Sequence, residues 1–279
     1  MLELMSDLFR VLNARRRRRG SIDFDLPAAK FLTDDEGRVE AIVAAERNQA
    51  HRIVEEFMLI ANETVASHLE EKGVPSLFRV HETPDALKVE EFEEFTASLG
   101  YSLGVPSERV VPRHFQRLLR RLRDKPEERP VTFLMLRTMK QARYDIHNGG
   151  HFGLAASSYT HFTSPIRRYP DLVVHRALRE TRVGERHVSF GASRAESLPE
   201  VARHTSEMER LAEEAEREVV QWKKVRFMAD KVGDEFSGCV IGVTAFGLFI
   251  ELVEHFVEGL VHISSMADDY YKFFERRHE

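Results

Sequence analysis

The segment from residue 151 to residue 176, HFGLAASSYTHFTSPIRRYPDLVVHR, holds the densest group of side chains that could do chemistry. Ser164 followed by proline is a common start of a helix, so we expect a helix to begin there. Arg167 and Arg168 would then lie in its first turn, where free N–H groups and the helix dipole already favour phosphate. Because a guanidinium is a planar fork of donors, this pattern predicts a phosphate or nucleotide site.

The same segment also has a purely structural interpretation, in which Arg167 pairs with Asp171 one helical turn later. It offers hydroxyl groups and aromatic rings that a nucleotide could contact, at Tyr159, His161, Phe162, Thr163 and Ser164. The residue types leave both interpretations open.

Phe24 is a second candidate, because it follows five consecutive arginines at residues 15–19 and a glycine. Residues 21–24 predict a strand in which the ring of Phe24 points away from Asp23 and Asp25. An aromatic ring next to a basic run is what stacking of a single-stranded nucleic-acid base requires. The alternatives are a core position for the ring and, for the arginines, a solvated helix end favoured by the helix dipole.

A long helix is predicted from about residue 199 to residue 230, with one apolar face. That stripe consists of Val201, Met208, Leu211, Ala215, Val219, Trp222 and Val225. Glu216 lies four residues after Ala212 and three before Val219, so it borders the stripe, whereas the other glutamates of this helix are typical solvated surface charges. This position only mildly distinguishes Glu216 from the other glutamates, as a candidate functional carboxylate.

Three segments near the C-terminus alternate with period two, at residues 236–243, 246–252 and 258–264. They predict strands of a small β-barrel of the OB-fold type. On the second strand Phe249 lies opposite the aliphatic residues, and on the third strand His262 does the same. Because OB-fold barrels stack bases on exposed rings, Phe249 and His262 are predicted to contact single-stranded nucleic acid. Phe246, at the turn before Gly247, could join them or close the barrel end.

The elements that must position these candidates are mostly helices, and the predicted fold class is α+β. Beyond an N-terminal helix that ends in the arginine run, helices are predicted at residues 48–71, 84–99, 113–124, 131–143 and 199–230. A short strand is predicted at residues 77–81 and a loop at residues 183–194. The change from a helical to an alternating pattern near Gly233 predicts two domains, residues 1–230 and residues 231–279.

Composition limits the partners that these sites can serve. The 279 residues carry a formal net charge of −5, so local basic patches, not the whole surface, must bind any polyanion. Cys239 is the single cysteine, which excludes an internal disulfide and a cysteine-rich zinc site and fits the reducing cytoplasm. No apolar run reaches the ~18 residues of a membrane-spanning helix, so no membrane partner is predicted.

Several segments resemble, in order and spacing, the catalytic (RNB) domain of the ribonuclease II/R family: RGSIDFDLPAAKF, HRIVEEFMLIANETVASHL, residues 151–178 and AER at residues 215–217. Residues 232–271 resemble the OB-fold RNA-binding domain that follows it. The resemblance implies a processive 3′→5′ exoribonuclease that hydrolyses single-stranded RNA to nucleoside 5′-monophosphates with divalent cations. It also implies that Phe24 stacks against the 3′-terminal base, that Arg167 contacts the scissile phosphate, and that Glu216 belongs to the catalytic pocket.

The chain departs from the family pattern in two places. The metal-binding aspartates of the family, in a G-D-x-x-x-x-D-x-D-D segment, have no match here, since the Asp-Asp pairs at residues 34–35 and 268–269 lack that spacing. The OB-fold segment has three readable strands, fewer than the five of a complete barrel. We therefore expect the C-terminal half of a monomeric enzyme whose Mg²⁺ ligands lie upstream, a half that holds no metal and is inactive alone. A non-catalytic single-stranded RNA-binding module is the alternative.

Overall fold

The computed structural model describes residues 1–24, 29–181, 188–266, 271 and 273, and for residues 188–194 it describes the backbone only. Within these ranges helices and antiparallel strands alternate, which confirms the predicted α+β class. No helix within the described ranges is long and apolar enough to cross a membrane.

The described helices are α1 (Leu2–Arg19), α2 (Gln49–Glu71), α3 (Ala86–Ser98), α4 (Pro112–Leu122), α5 (Glu128–Thr138), α6 (Tyr169–Glu180) and α7 (Val188–Met228). The described strands are β1 (Ala29–Thr33), β2 (Val39–Ala44), β3 (Phe78–Val80), β4 (Arg143–Asp145), β5 (Gly238–Thr244), β6 (Gly247–Leu252) and β7 (Glu258–His262). The strands pair as β1–β2, β3–β4 and β5–β6–β7, and every pairing is antiparallel.

Charged side chains help to pack α1 against α2. Arg16 is buried and pairs with buried Glu56, with 3.1 Å between its Nε and Oε1, while its Nη1 donates to Ser21 Oγ at 2.8 Å. Arg19 makes two hydrogen bonds with Glu63, at 2.8 and 2.6 Å. Because a guanidinium removed from water needs a carboxylate partner, these two of the five consecutive arginines serve the fold.

Helices α3, α4 and α5 form the first core. Its buried apolar residues are Ile22, Val89, Phe92, Leu103, Val110, Phe115, Leu118, Leu122, Val131, Met135 and Phe152. The predicted helix over residues 131–143 is wrong at its C-terminal end, since α5 stops at Thr138 and residues 143–145 pair as β4 with β3. The helical pattern was extended past Thr138 into the residues of β4. Pairing of β4 with β3, which is distant in sequence, leaves no local signal that would have ended the predicted helix.

The second core joins α2, the β3–β4 pair, α6 and the N-terminal part of α7. Its buried residues are Leu69, Leu77, Tyr144, Val173, Val174, Ala177, Leu198 and Ala202. Tyr144 N–H donates to the buried Ser206 Oγ of α7 at 2.9 Å, which couples strand to helix. Phe162 packs at the edge of this core, which therefore supports the segment with the paired arginines.

Helix α7 extends farther towards the N-terminus than its sequence pattern predicts. The predicted loop over residues 183–194 is wrong for residues 188–194, which are helical, while residues 183–187 lie outside the described residues. Pro199 lies inside the helix, whereas the pattern placed it at the start. Proline is most common in the first turn of a helix, which is why the pattern favoured that boundary.

The predicted apolar stripe of α7 is buried only near the N-terminal end of the helix. Ala202 belongs to the second core and Val201 packs at its edge. Farther along, the large apolar side chains of the stripe are exposed, at Met208, Leu211, Val219, Trp222 and Val225. The described elements therefore leave this part of the apolar stripe largely uncovered.

The C-terminal sheet has the order β5–β6–β7, and its strands match, to within two residues at each end, the three segments that the sequence predicts. It docks on the helices through Glu251 of β6, which is buried and forms an ion pair with Arg129 of α5. Lys224 of α7 donates to the carbonyl of Phe256 in the turn between β6 and β7. These two charged contacts fix the sheet against α5 and α7.

Candidate functional site

Residues 164–168 form a tight turn ahead of α6, so the predicted helix start at Ser164 is wrong. The N–H groups of Arg167 and Arg168 both donate to Ser164 O, at 3.3 and 3.0 Å. Arg168 is the N-cap residue of α6, and Pro170 occupies the first turn, where its missing N–H costs no hydrogen bond. Of the two prolines in this segment, the second therefore opens the helix.

Asp171 holds this turn in place from inside the protein. Its side chain is 0% exposed, and it accepts the N–H of Ser164 at 2.8 Å. It also accepts Nε and Nη2 of Arg168, both at 2.8 Å. The structural interpretation proposed for Arg167 is therefore wrong in its partner, since Asp171 pairs with Arg168. Spacings of three and of four residues both suit a helical ion pair, and the sequence could not choose between them.

Arg167 is left on the outside of the turn. Its side chain is exposed and makes no ion pair or hydrogen bond with any side chain in the described part of the chain. Its neighbour Ile166 is fully exposed and Tyr169 is half-exposed. A forked guanidinium held on a fixed turn is suited to contact an external phosphate. Arg168, in contrast, already uses Nε and Nη2 on an internal carboxylate.

The aromatic residues behind the turn are inward-facing supports. Tyr144 Oη and His161 Nδ1 are 2.8 Å apart, and Phe162 stacks on a histidine of α6 with 4.1 Å between ring centres. Asn62 of α2 is buried and forms hydrogen bonds with both Tyr159 and Phe162. Its Nδ2 donates to Tyr159 Oη at 2.9 Å, and its Oδ1 accepts the N–H of Phe162 at 3.0 Å. These side chains therefore form the frame on which the turn rests.

Two histidines near the turn stay neutral because they are buried. Burial lowers the pKa of His151 to about 3, helped by nearby basic side chains. Burial likewise lowers the pKa of His161 to about 2, with Arg168 and Arg79 adding to the shift. Burial also raises the pKa of Tyr144 to about 12. Near neutral pH these rings carry no charge, so the positive charge at the turn comes from its arginines.

Acid is expected to destabilise the fold through these two histidines. In the unfolded chain a histidine binds a proton below about pH 6.5, whereas folded His151 and His161 stay unprotonated well below that pH. The unfolded state therefore gains protons first, and the free energy of unfolding falls by up to about 1.4 kcal/mol per pH unit for each histidine. Urea unfolding of His161→Gln should lose less stability than the wild type between about pH 7 and pH 5.

The control for this prediction is His204, an exposed histidine of α7 outside the buried frame. His204→Gln should lose as much stability in acid as the wild type does. If all three proteins lose the same stability, the buried histidines do not carry the acid sensitivity.

Phe24 lies on the extended segment after α1, and the predicted strand over residues 21–24 is wrong. Within the described residues this segment joins no strand pairing; Ile22 N–H instead donates to Gly153 O at 2.8 Å. That bond brings the segment next to the loop at residues 150–156, so two candidate regions of the sequence meet in space. Phe24 is half-buried and packs against the first core. This supports the core alternative in part, and stacking on a base stays a prediction.

Glu216 lies on the exposed half of α7, where every residue from 211 to 219 is exposed. It makes no hydrogen bond or ion pair with the residues that the structure describes. The pattern placed it beside the apolar stripe, and that stripe is open to solvent here. Its catalytic role therefore stays a prediction that rests on the resemblance.

Phe246, Phe249 and His262 lie together on the C-terminal sheet. The rings of Phe246 and Phe249 meet edge to face with centres 6.1 Å apart, and Phe246 is 48% exposed. His262 is exposed and lies opposite Gly247 across the β6–β7 pair. A group of exposed and half-buried rings is a surface on which bases can stack. The β6–β7 register places Phe249 and His262 on one face, as strand parity predicts, while contact of these residues with RNA stays a prediction.

No group of three or more His, Cys, Asp or Glu side chains that could hold a metal ion occurs in the described ranges. The Asp34 carboxylate accepts the N–H groups of Glu36 and Arg38, at 3.0 and 2.7 Å, and so shapes the β1–β2 hairpin. Residues 268–269 lie outside the described residues. The described carboxylates therefore do not fit the divalent-metal centre that the resemblance implies.

Asn62 is the site residue that the sequence pattern did not reveal. An amide in line with the apolar residues of helix α2 is the signal that could have found it. A buried polar side chain requires hydrogen-bond partners, so Asn62 had to meet a segment with free polar groups.

A helical body that carries an arginine on a fixed turn is followed by an OB-like sheet with grouped rings, a combination suited to single-stranded nucleic acid. Residues 1–182 match the family model described as RNB domain, and residues 229–278 match the model of the S1 RNA binding domain. The chain belongs to the RNB domain family, which confirms the resemblance stated from the sequence.

The chain is similar to ribonucleases R over almost its whole length. Ribonuclease R of Aquifex aeolicus is 49% identical over 277 residues, which are 99% of this chain and 39% of that protein. Ribonuclease R 1 of Lactococcus lactis is 44% identical over 99% of this chain and 34% of that protein. Mycoplasma genitalium RNase R, solved in complex with ribose methylated single-stranded RNA, matches with a TM-score of 0.92 at 26% identity, over 99% of this chain and 44% of that one. The chain therefore spans less than half the length of these relatives.

Proposed function

We propose that this chain is the RNA-contacting part of a 3′→5′ exoribonuclease that processively hydrolyses single-stranded RNA to nucleoside 5′-monophosphates. The observation that carries the proposal is the exposed Arg167, held on a turn that buried Asp171 locks. That guanidinium can contact a phosphodiester without competition from an internal carboxylate. The similarity to ribonucleases R, one of them solved with single-stranded RNA, supports RNA as the polyanion.

Each candidate residue has a role in this proposal. Arg167 contacts the scissile phosphate and stabilises the negative charge that develops in the transition state. Arg168 orients the turn through Asp171 and adds a phosphate contact through its remaining N–H groups. Phe24 stacks on the 3′-terminal base, and Glu216 contributes a carboxylate to the catalytic pocket. Bases farther along the strand stack on the C-terminal sheet, at Phe246, Phe249 and His262.

We place the Mg²⁺ ligands in a part of the parent enzyme upstream of this chain, since the described carboxylates do not fit a metal centre. When bound there, the metal would activate water and stabilise the leaving oxygen. We further propose that the parent works as a monomer in the cytoplasm. The single cysteine, which leaves no internal disulfide to form, suits that compartment.

Product analysis of the full-length parent tests the proposed reaction. With uniformly labelled single-stranded RNA and Mg²⁺, nucleoside 5′-monophosphates should appear one at a time from the 3′ end. Products that carry 3′-phosphates, or cuts inside the strand, would show a different reaction.

The second candidate function is a non-catalytic single-stranded RNA-binding module. It is favoured by the lack of a metal-holding group among the described residues. The same assay separates the two functions, because a parent that binds RNA but releases no mononucleotide in Mg²⁺ is such a module.

Phe24→Ala is expected to weaken the hold of the parent enzyme on the RNA 3′ end and to change the length of the final product. Stacking of one base on an aromatic ring contributes about 1–3 kcal/mol, which alanine removes. Gel analysis of a 5′-labelled oligomer gives the product lengths. Phe24→Leu is the matched control for packing, since it keeps apolar contact with the first core but loses the ring. An unchanged product ladder in both variants would assign Phe24 to the core alone.

A further inference from the structure

The arginine face is a surface made of the C-terminal end of α1, the solvent side of α4 and the residue after α4. Its members are exposed arginines that form no ion pair with any described carboxylate: Arg15, Arg17, Arg18, Arg113, Arg117, Arg120, Arg121 and Arg123. Every exposed residue within α4 is an arginine, while the opposite side of the helix is buried in the first core. The face is thus a dense local positive charge on a chain whose net charge is −5.

Direct contacts hold the two halves of this face together. Gln116 Nε2 donates to Arg17 O at 3.0 Å and to Ser21 O at 2.8 Å, so a side chain of α4 satisfies carbonyls at the end of α1. Arg113 also donates to Arg18 O through Nη2. A Cβ on Gly20 would lie 3.0 Å from Arg113 Cβ, so the two elements approach as closely as glycine allows. The arginines of α1 and α4 therefore share one fixed surface.

Some exposed arginines elsewhere in the described structure are paired within the protein. Arg10 pairs with Asp7, Arg38 with Glu36, and Arg203 with two glutamates of α7. On α4 the arginines instead face one another at spacings of three and four residues, which destabilises an isolated helix. A like-charge row that the described chain does not neutralise is suited to an external polyanion.

The geometry of α4 matches an extended chain of phosphates. From Arg113 to Arg121 the row spans about 12 Å along the helix axis, since each residue rises by about 1.5 Å. Tyr101 adds a ring at the end of the row, with the Arg121 guanidinium 5.6 Å and the Lys125 ammonium 5.0 Å from its centre. Basic side chains interleaved with an aromatic ring are the usual composition of a surface that follows a nucleic-acid strand.

We propose that the arginine face is a second RNA-binding surface, which holds the sugar–phosphate backbone of an internal stretch of RNA while the Arg167 turn acts at the 3′ end. The proposal rests on the proposed function for the identity of the polyanion. The two surfaces belong to different packing units, since α4 is part of the first core and α6 is part of the second. The face is expected to bind RNA without sequence preference, because guanidinium groups contact phosphates equally well beside any base.

RNA fits this face better than an anionic membrane does. A helix that binds a membrane surface presents apolar residues beside its cations, so that they enter the bilayer. Within α4 the apolar residues face the protein and the exposed positions are arginines only. A strand of evenly spaced phosphates requires no such apolar residues.

The test measures binding of this chain to a circular single-stranded RNA, which has no 3′ end, and to a linear RNA of the same sequence. The variant of the face is Arg117→Gln, Arg120→Gln and Arg121→Gln together, which keeps helix propensity similar. The matched control carries Arg10→Gln, Arg38→Gln and Arg203→Gln, which removes the same charge from exposed arginines that are paired within the protein. Fluorescence anisotropy over a series of salt concentrations gives the affinity and its salt dependence.

The face variant should bind circular RNA about tenfold more weakly at low salt than the wild type. Its plot of log K against log salt should be less steep by about 2, because three phosphate contacts of about 0.7 each are lost. The control should lie close to the wild type. Equal losses in variant and control, or linear RNA binding without circular RNA binding, would overturn the proposal while leaving the proposed function in place. Binding of phosphatidylserine vesicles through the face, with RNA binding unaffected in the variant, would overturn it as well.

Discussion

Asp171→Ala is expected to lower the free energy of unfolding by about 3–5 kcal/mol and to release the turn that carries Arg167. The carboxylate is fully buried and accepts three hydrogen bonds, one from Ser164 N–H and two from Arg168. Alanine leaves the guanidinium and the backbone N–H without an acceptor, which costs more than the pair contributes when it is intact. Urea unfolding followed by circular dichroism measures the change.

Two further variants make this result specific. Asp171→Asn keeps the shape of the side chain and an oxygen for Ser164, so it should cost less than alanine does. Asp7→Ala removes an exposed carboxylate from its ion pair with Arg10 and should cost less than about 1 kcal/mol. If Asp171→Ala costs no more than Asp7→Ala, then Asp171 does not lock the turn.

In an active parent enzyme, Arg167→Ala is expected to slow cleavage by about 10²–10³-fold while weakening RNA binding far less. The side chain is exposed and bound to no described side chain, so its loss removes an external contact without disturbing the fold. A contact made mainly in the transition state changes the rate of the chemical step more than it changes Kd. Single-turnover kinetics at saturating enzyme measure the rate of the chemical step, and a separate binding experiment measures Kd, so the two effects can be distinguished.

Arg38→Ala is the control for this prediction, since Arg38 is also exposed but lies in the β1–β2 turn and pairs with Glu36. It should change neither rate nor affinity. If the RNA affinity of Arg167→Ala falls by about 10²–10³-fold while the single-turnover rate is unchanged, Arg167 only anchors the RNA.

Elements with strong local signals could be predicted from the sequence. Helix α2 lies within one residue of its predicted bounds, because Asn48 caps its start and Gly73 follows its end. The side chain of Asn48 accepts the N–H of His51, so this signal is complete within four residues. The C-terminal strands likewise followed the alternation of their own side chains.

The turn at residues 164–168 shows why other boundaries could not be predicted. Two prolines offered a helix start, and both local patterns were acceptable. In the structure the helix begins at Tyr169, next to the second proline, and the buried Asp171 carboxylate accepts Ser164 N–H in the turn before it. Burial of a carboxylate depends on the second core, which forms from residues far apart in the sequence.

Helix α7 shows a different limit of sequence patterns. An amphipathic stripe predicts that a helix has an apolar face, but it does not say what covers that face. Leu198 and Ala202 meet the second core, whereas Trp222 and Val225 remain exposed in the described structure. The position of Glu216 beside the stripe therefore carried less information than the pattern suggested.

The sequence identified which residues are candidates for the site, but it could not assign a role to each of them. Strand parity placed Phe249 and His262 on one face, which the β6–β7 register bears out, since side chains on one strand alternate between two faces. The adjacent arginines could not be told apart, because only the structure shows that Arg168 turns inward and Arg167 outward. In the same way, the arginine run separates into buried ion pairs and an exposed face only once α2 and α4 are in place.

The most direct test incubates the isolated chain with 5′-labelled single-stranded RNA and Mg²⁺, and follows RNA binding and mononucleotide release in the same samples. We predict salt-dependent binding that the face variant weakens, with no release of mononucleotides, because the proposed function assigns RNA contacts, and not the metal ligands, to this chain. Mg²⁺-dependent release of nucleoside 5′-monophosphates by the isolated chain, or no binding of RNA at all, would contradict this division of roles.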